Sequence, residues 1–357
     1  MAQMFAHDAM PAKRYPKAVL LSKEQAKILR KAEELVEPLL IGDKERFSLY
    51  PLHHQNIYDV YQKAMAHDWR VDKAQLSTDV YQYNNVLTAP EKHLINSIFA
   101  FFQPADGIVG ENHLVNLYKR IKLPEVRSYY ATQIHMEHIH SDAYGRVVSE
   151  LIPDLDRRRK VLSTDDKPAI KAMLGWMEEW LDGKITLAET LFAFAIAEGL
   201  LFQAPFCFIF WFKKRGGNLL PGIMYLNVEI SADENDHATF SAIMYYLIIN
   251  KLPYERVLEM MLSAVQVAYD FVDYALPEPL VGLSARGAKL YIEFIADYLL
   301  KIFGYPKYFN TLNPYDWMEE LGLYSRENVF EKTVANYSSM PGFTPVDVEE
   351  FEVTDQF

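Results

Sequence analysis

Glu137, His140 and Tyr144 share the stretch MEHIHSDAY (136–144), the histidine three residues after the glutamate and the tyrosine four further on. On a helix these spacings put all three side chains on one face along successive turns. Glu137 and His140 can then grip one divalent ion, with a tyrosine one turn away. A second Glu-x-x-His, Glu234 and His237, lies in SADENDH. With 27 Glu and 10 His in 357 positions, roughly 0.8 such matches arise by chance, so the two motifs alone carry limited weight.

Two lone acids shift that balance. Asp106, in PADGIVGENH, falls on the helix expected before the first motif. Glu198 falls on the helix expected before the second, and it is the only charge in LFAFAIAEGLLFQAPFCFIFWF, residues 191–212. A carboxylate buried on so apolar a helix is costly without a partner. Each pair of adjacent helices thus supplies one carboxylate and one Glu-x-x-His, the inward-facing set used by ferritin-like di-iron and di-manganese bundles. Four carboxylates and two imidazoles hold two ions, and hard oxygen donors with imidazole suit Fe(II) and Mn(II).

The elements that must position these residues are helical. Strand signals are nearly absent, and long helical patterns at about 90–120, 124–152, 185–214 and 221–250 predict a four-helix core. Shorter patterns at 55–68, 167–182, 252–275, 283–304 and 325–337 wrap it, and another helix opens at Ser22 as N-cap. The expected fold is all-α: one ferritin-like helical domain over 1–337 with an N-terminal extension, then a flexible tail at 338–357. That tail carries five acids, no base and three phenylalanines, a composition that cannot bury a core of its own.

Composition narrows the partners. A net charge of -12 and a pI near 5.4 argue against nucleic acid and anionic membranes, which need clustered cations. Residues 191–212 are long enough to cross a bilayer, for which about 20 residues suffice. Glu198 at mid-depth costs roughly 2.5–3.5 kcal/mol there, and no second such segment exists, so a centrally buried helix is expected. A single cysteine, Cys207, forms no intramolecular disulfide, and the first twenty residues lack an apolar signal region. A cytoplasmic protein is expected.

The runs FFQPADGIVGEN, QIHMEHIHSDAY, FAIAEGLLFQAPFCFIFWFKKRG, LPGIMYLNVEISADENDH and FEKTVANYSSM resemble one family, the radical-generating small (beta) subunit of class I ribonucleotide reductase. The resemblance extends from about residue 37 to the C-terminus. It implies that Asp106, Glu137, His140, Glu198, Glu234 and His237 ligate a dinuclear centre, two Fe in the first instance, with Mn/Fe or two Mn as alternatives. It implies a radical on Tyr144, shielded by Phe202, Phe206 and Ile230. Trp69, Asp233 and Tyr337 match a relay of electrons and protons, with Asp233 hydrogen-bonding His140. A homodimer is implied, docked through its C-terminal tail on a large (alpha) subunit and activated by oxygen or an activated oxygen species. Ala232, Asn235 and Asp236 depart from the basic and less polar residues that many members carry there. A ligand-binding oxidase or monooxygenase on the same fold is the competing reading, and it leaves Trp69, Tyr337 and the tail without a joint role. Iron storage ranks below both, since ferritins are far shorter.

Overall fold

The computed structural model describes residues 14–41, 47–67 and 69–320. Among these residues the regular structure is helical, apart from one isolated bridge between Leu280 and Leu283. Tyr337, the helix expected at 325–337 and the tail at 338–357 lie outside the described residues.

Four long helices make the centre: α1 (Ala89–Asn112), α2 (Pro124–Leu151), α3 (Leu187–Arg215) and α4 (Pro221–Leu247). α1 packs along α2, the first half of α3 packs along α4, and α2 touches α4 to close the bundle. Local chemistry sets where they begin. Thr88 with Glu91, and Thr186 with Glu189, form capping boxes at α1 and α3, while Pro124 and Pro221 open α2 and α4 where a missing N–H costs nothing. The cap of α4 comes from elsewhere in the chain. Leu220 before it is left-handed and gives no side-chain bond, so the buried Asp79 of the helix Ser77–Asn85 accepts from Gly222 N at 3.0 Å and Ile223 N at 2.7 Å. Glycine is required at 222 because a Cβ there would stand 2.7 Å from the Gln75 carbonyl oxygen.

Helices Lys23–Val36, Gln55–Ala66, Pro168–Leu181, Tyr254–Ala275 and Ala285–Ile302 surround the centre, close to the expected spans. Two short helices, Ser77–Asn85 and Leu155–Leu162, escape the periodicity: the second reads LDRRRKVL and buries none of its residues. Both α1 and α3 also depart from regular α geometry. α1 runs into a π-helical stretch, His113–Tyr118, and α3 is interrupted by another at Ala197–Leu201, which contains Glu198. All of Leu187 to Phe212 is buried, so the one helix among the described residues long and apolar enough to cross a membrane is the central core helix.

Asp79→Ala strips two backbone N–H groups of their acceptor. It is expected to lower stability by about 1–2 kcal/mol, read as a shifted denaturation midpoint, and an unchanged midpoint would show the cap to be dispensable.

Candidate metal centre

Six side chains from the four central helices converge: Asp106 from α1, Glu137 and His140 from α2, Glu198 from α3, and Glu234 and His237 from α4. They fall into two groups whose ligand atoms lie within 4.8 Å of one another, Asp106–Glu137–His140–Glu234 and Glu137–Glu198–Glu234–His237. Glu137 and Glu234 belong to both. Each of these two offers one oxygen to each histidine. Glu137 Oε2 lies 3.6 Å from His140 Nδ1 and its Oε1 3.2 Å from His237 Nδ1; Glu234 Oε1 lies 2.9 Å from His140 Nδ1 and its Oε2 3.3 Å from His237 Nδ1. Each of these carboxylates could thus be shared between two cations.

Hydrogen bonding separates this cluster from the other buried acids. Asp79, Glu125 and Asp297 all accept backbone N–H bonds, and Glu91 is held by Thr88 and Arg215. In the cluster, both oxygens of Asp106 and of Glu137, Glu198 Oε2, Glu234 Oε1 and His140 Nδ1 have no hydrogen-bond partner, although some lie within 3.6 Å of one another. Donor atoms that crowd together without bonding one another are aimed at a common point, and buried unpaired oxygens of this kind are strongly unfavourable unless cations meet them. The residues therefore fit a dinuclear centre.

The electrostatics agree. Burial, and then the carboxylates of Glu234 and Glu137, push the Glu198 carboxyl up to about 8. Burial raises Asp106 as well. For Glu137 burial is outweighed by His140 and His237, which hold it down at about 2. Burial lowers both histidines, but hydrogen bonds and adjacent carboxylates reverse this and raise them well above the ordinary imidazole value.

His140 Nε2 lies 3.1 Å from Asp233 Oδ2, and Trp69 Nε1 donates to the same oxygen at 2.8 Å. With its Nε2–H donated to Asp233, His140 can present the Nδ1 lone pair to the cluster. Burial raises the Asp233 carboxyl, but His140, His237 and the Trp69 bond outweigh it and keep the group ionised. The Trp69 ring stacks near His140, with centroids 5.9 Å apart. Trp69 also lines a surface cleft of about 440 Å³ with Arg70, Val71, Asp72, His135, Ile139 and Asp142. Three sequence-predicted residues, Trp69, Asp233 and His140, thus form one unbroken chain from cluster to surface.

Tyr144 is fully buried on α2 one turn after His140, and its hydroxyl has no hydrogen-bond partner. Burial, then the charges of Asp106, Glu234 and Glu137, push its phenol well upward. The rings against it are Phe102, stacked at 4.7 Å, and Phe99, edge-on at 5.9 Å. Phe202 and Phe206 contact Phe102 at 5.5 and 5.0 Å, forming the next layer, and Ile230 is fully buried one turn before Glu234. Phe99 and Phe102 went unread in the sequence, although Phe102 stands one turn before Asp106 on the same helix. His67, whose Nδ1 is 3.6 Å from Asp233 Oδ1, was missed too, as were His113 and Gln133 beside Glu198. Their only signal is proximity in sequence to Trp69, Asp106 and Glu137.

The fold and cluster define an all-α, ferritin-like protein with a dimetal-carboxylate site. Residues 46–314 match the family described as Ribonucleotide reductase, small chain, and the chain belongs to that family. The ribonucleoside-diphosphate reductase small chain of Nicotiana tabacum is 38% identical over 326 residues, covering 90% of this chain and 98% of that one. The small subunit of Dictyostelium discoideum is 36% identical over 311 residues, covering 87% and 91%. Among solved structures, the ribonucleotide reductase Rnr4 homodimer from Saccharomyces cerevisiae has a TM-score of 0.74 at 26% identity, covering 89% of this chain and 100% of that one. The dimanganese(II)-NrdF of Streptococcus sanguinis, with a TM-score of 0.69 at 16% identity over 77% of this chain and 98% of its own, shares the fold. Small chains of this family carry a dinuclear metal centre, generate the radical for ribonucleotide reduction, and act as homodimers paired with a large subunit. Membership disfavours the oxidase and storage readings.

Metal uptake should release protons. Below about pH 8 the Glu198 carboxyl of metal-stripped protein holds a proton that an incoming cation must displace. Apparent affinity for Mn(II) is therefore expected to rise with pH as Glu198, and with it the raised Asp106 and histidines, lose their protons. Calorimetry in buffers of different ionisation enthalpy checks this, and uptake without proton release would contradict it.

Proposed function

We propose that this chain is the beta subunit of a ribonucleoside-diphosphate reductase in which Asp106, Glu137, His140, Glu198, Glu234 and His237 hold two metal ions and Tyr144 carries the radical. The observation that carries the reading is the pair Glu137 and Glu234, each turned toward both histidines, next to a buried tyrosine with an unbonded hydroxyl. The bound metals, two iron ions by preference and manganese by the same donor set, supply the oxidising power when they react with oxygen or an activated oxygen species.

The protein groups do the rest. Oxidation of Tyr144 removes one electron and the Oη proton; the neighbouring carboxylates of Asp106, Glu234 and Glu137 act electrostatically on that phenol. Phe99 and Phe102, backed by Phe202, Phe206 and Ile230, exclude water and reductants. Trp69 passes an electron inward from the surface, so that oxidising power moves outward, while Asp233 keeps the Trp69 Nε1 proton and the His140 ring in register. Tyr337 continues the relay to the large subunit. The tail at 338–357, following a single helical domain over 1–337, docks there through Phe351 and Phe357, its acids guiding encounter while ordering entropy keeps affinity modest. The reaction takes place in the cytoplasm.

Protein loaded with Fe(II) and exposed to oxygen is expected to hold two metals per chain and to show a tyrosyl signal in electron paramagnetic resonance. Tyr144→Phe should keep both metals and lose the signal; the same signal in that variant would move the radical elsewhere.

Removing residues 351–357 should abolish association with the large subunit, and with it turnover, while metal loading and radical stay intact. Tyr337→Phe should leave association unchanged and stop turnover. Normal deoxyribonucleotide production by the truncated chain at low subunit concentration would refute the docking role, and an active Tyr337→Phe the relay.

A further inference from the structure

Glu198 differs from the other cluster carboxylates in the way its two oxygens are used. Oε2 lies 3.6 Å from His237 Nδ1 and has no hydrogen-bond partner, as expected of an oxygen directed at a cation. Oε1 is engaged from the opposite side, by Gln133 Nε2 at 3.2 Å and by His113 Nε2 at 3.3 Å. Gln133 Nε2 and His113 Nε2 are themselves 2.8 Å apart, which closes a triangle of three buried side chains. Oε1 receives one hydrogen bond whichever ring nitrogen carries the proton, but from a different donor. On Nε2 the proton points to Oε1, and the Gln133 amide turns its oxygen inward and donates nothing to Oε1. On Nδ1 it leaves Nε2 to accept from Gln133, whose second hydrogen reaches Oε1.

Packing alone does not call for a histidine at 113. The ring is fully buried between Phe194, 4.0 Å away centroid to centroid, and Tyr130 at 5.5 Å, where a hydrocarbon side chain would avoid the desolvation of two ring nitrogens. Nδ1 of His113 and Oε1 of Gln133 have no hydrogen-bond partner, so the polar contacts of the pair are directed at each other and at Glu198. The backbone is irregular at both ends of the contact. His113 opens the π-helical stretch after α1, and Glu198 is the second residue of the one inside α3. Such stretches are rare and concentrate at functional sites. Gly199 allows this approach on the other flank, since a Cβ there would meet Leu299 Cδ2 at 2.8 Å and Ala238 Cβ at 3.0 Å.

We infer that His113 and Gln133 are positioning residues that restrain Glu198 to a terminal, single-oxygen ligand of the cation held with His237. Glu137 and Glu234, with an oxygen toward each histidine, would be free to be shared by two cations; Glu198, with one oxygen held back, would not. The restraint makes the two cation positions unequal, because Asp106 on the other side has both oxygens free of hydrogen bonds.

The inference rests on the dimetal reading, and the full-length chain tests the two separately. Metal-stripped protein is titrated with Mn(II) without oxygen, followed by calorimetry and by electron paramagnetic resonance of the metals. The parental chain is expected to bind two Mn(II) and to show a spin-coupled signal. His113→Leu and Gln133→Leu should each weaken one of the two sites by about 10–100-fold, leave the other unchanged, and convert the signal to that of isolated Mn(II). His113→Gln, which keeps an N–H beside Oε1, should restore most of the lost affinity, as a filled volume alone would not. If His113→Leu does not fold, Gln133→Leu carries the test, since it removes the amide without touching the ring. A parental chain that binds fewer than two Mn(II) overturns the dimetal reading and this inference with it. Parental affinity at both sites in the folded variants overturns this inference alone.

Discussion

Seven donor atoms of the cluster face its centre without a hydrogen bond, and burying that much uncompensated polarity is the constraint from which the rest of the architecture follows. Carboxylates are excluded from an apolar interior unless charge or hydrogen bonds meet them. With protein groups alone, protons must serve, which is why Asp106 and Glu198 are pushed up while Glu137 is held at about 2 between two raised histidines. Divalent ions replace those protons more completely, since each shared carboxylate can then satisfy both of its oxygens. A central helix as apolar as α3 can carry Glu198 only on these terms.

Such a centre works only if helices from distant parts of the chain are held in fixed register, and the remaining buried acids provide much of that hold. Asp79 ties the start of α4 to the helix Ser77–Asn85. Glu125, at the start of α2, accepts from His53 and His54 N–H ahead of the helix Gln55–Ala66, whose far end leads to Trp69. Asp297 gathers the backbone N–H groups of Tyr308, Phe309 and Asn310, and Glu37 those of Ile249 and Asn250 after α4. The same residue type thus does two jobs. Where backbone donors surround it, a buried carboxylate fixes a helix end; where they are withheld, it is left for a cation.

The clustering of these six residues was legible because a helix converts sequence spacing into direction: Glu137 and His140, or Glu234 and His237, point the same way by geometry alone. The four long helices were legible for the same reason, through their apolar period. What could not be read arises between helices. Phe99 and Phe102 are two among 21 phenylalanines, and only the crossing of α1 over α2 selects them as the walls of Tyr144. His113 meets Glu198 across 85 residues. The π-helical stretches are just as silent, because an extra residue in a turn is tolerated where tertiary contacts reward it and has no compositional mark. The short helix Leu155–Leu162 fails for the opposite reason: it buries nothing, so no apolar period announces it.

Burial does not by itself single out a redox tyrosine in this molecule. Tyr130 is as deeply buried as Tyr144, also lacks a partner for its hydroxyl, and stands 5.5 Å from His113. The two differ in what reaches them. Desolvation alone raises the Tyr130 phenol, whereas Tyr144 also feels Asp106, Glu234 and Glu137. Those carboxylates disfavour the phenolate, so the Tyr144 phenol keeps its proton; in the proposed role, loss of an electron and that proton together would form a neutral radical, which burial does not penalise as it would a charge. The aromatic stack over Tyr144 covers a hydroxyl that has no hydrogen-bond partner. Tyr130 has the apolar shell without the adjoining acids.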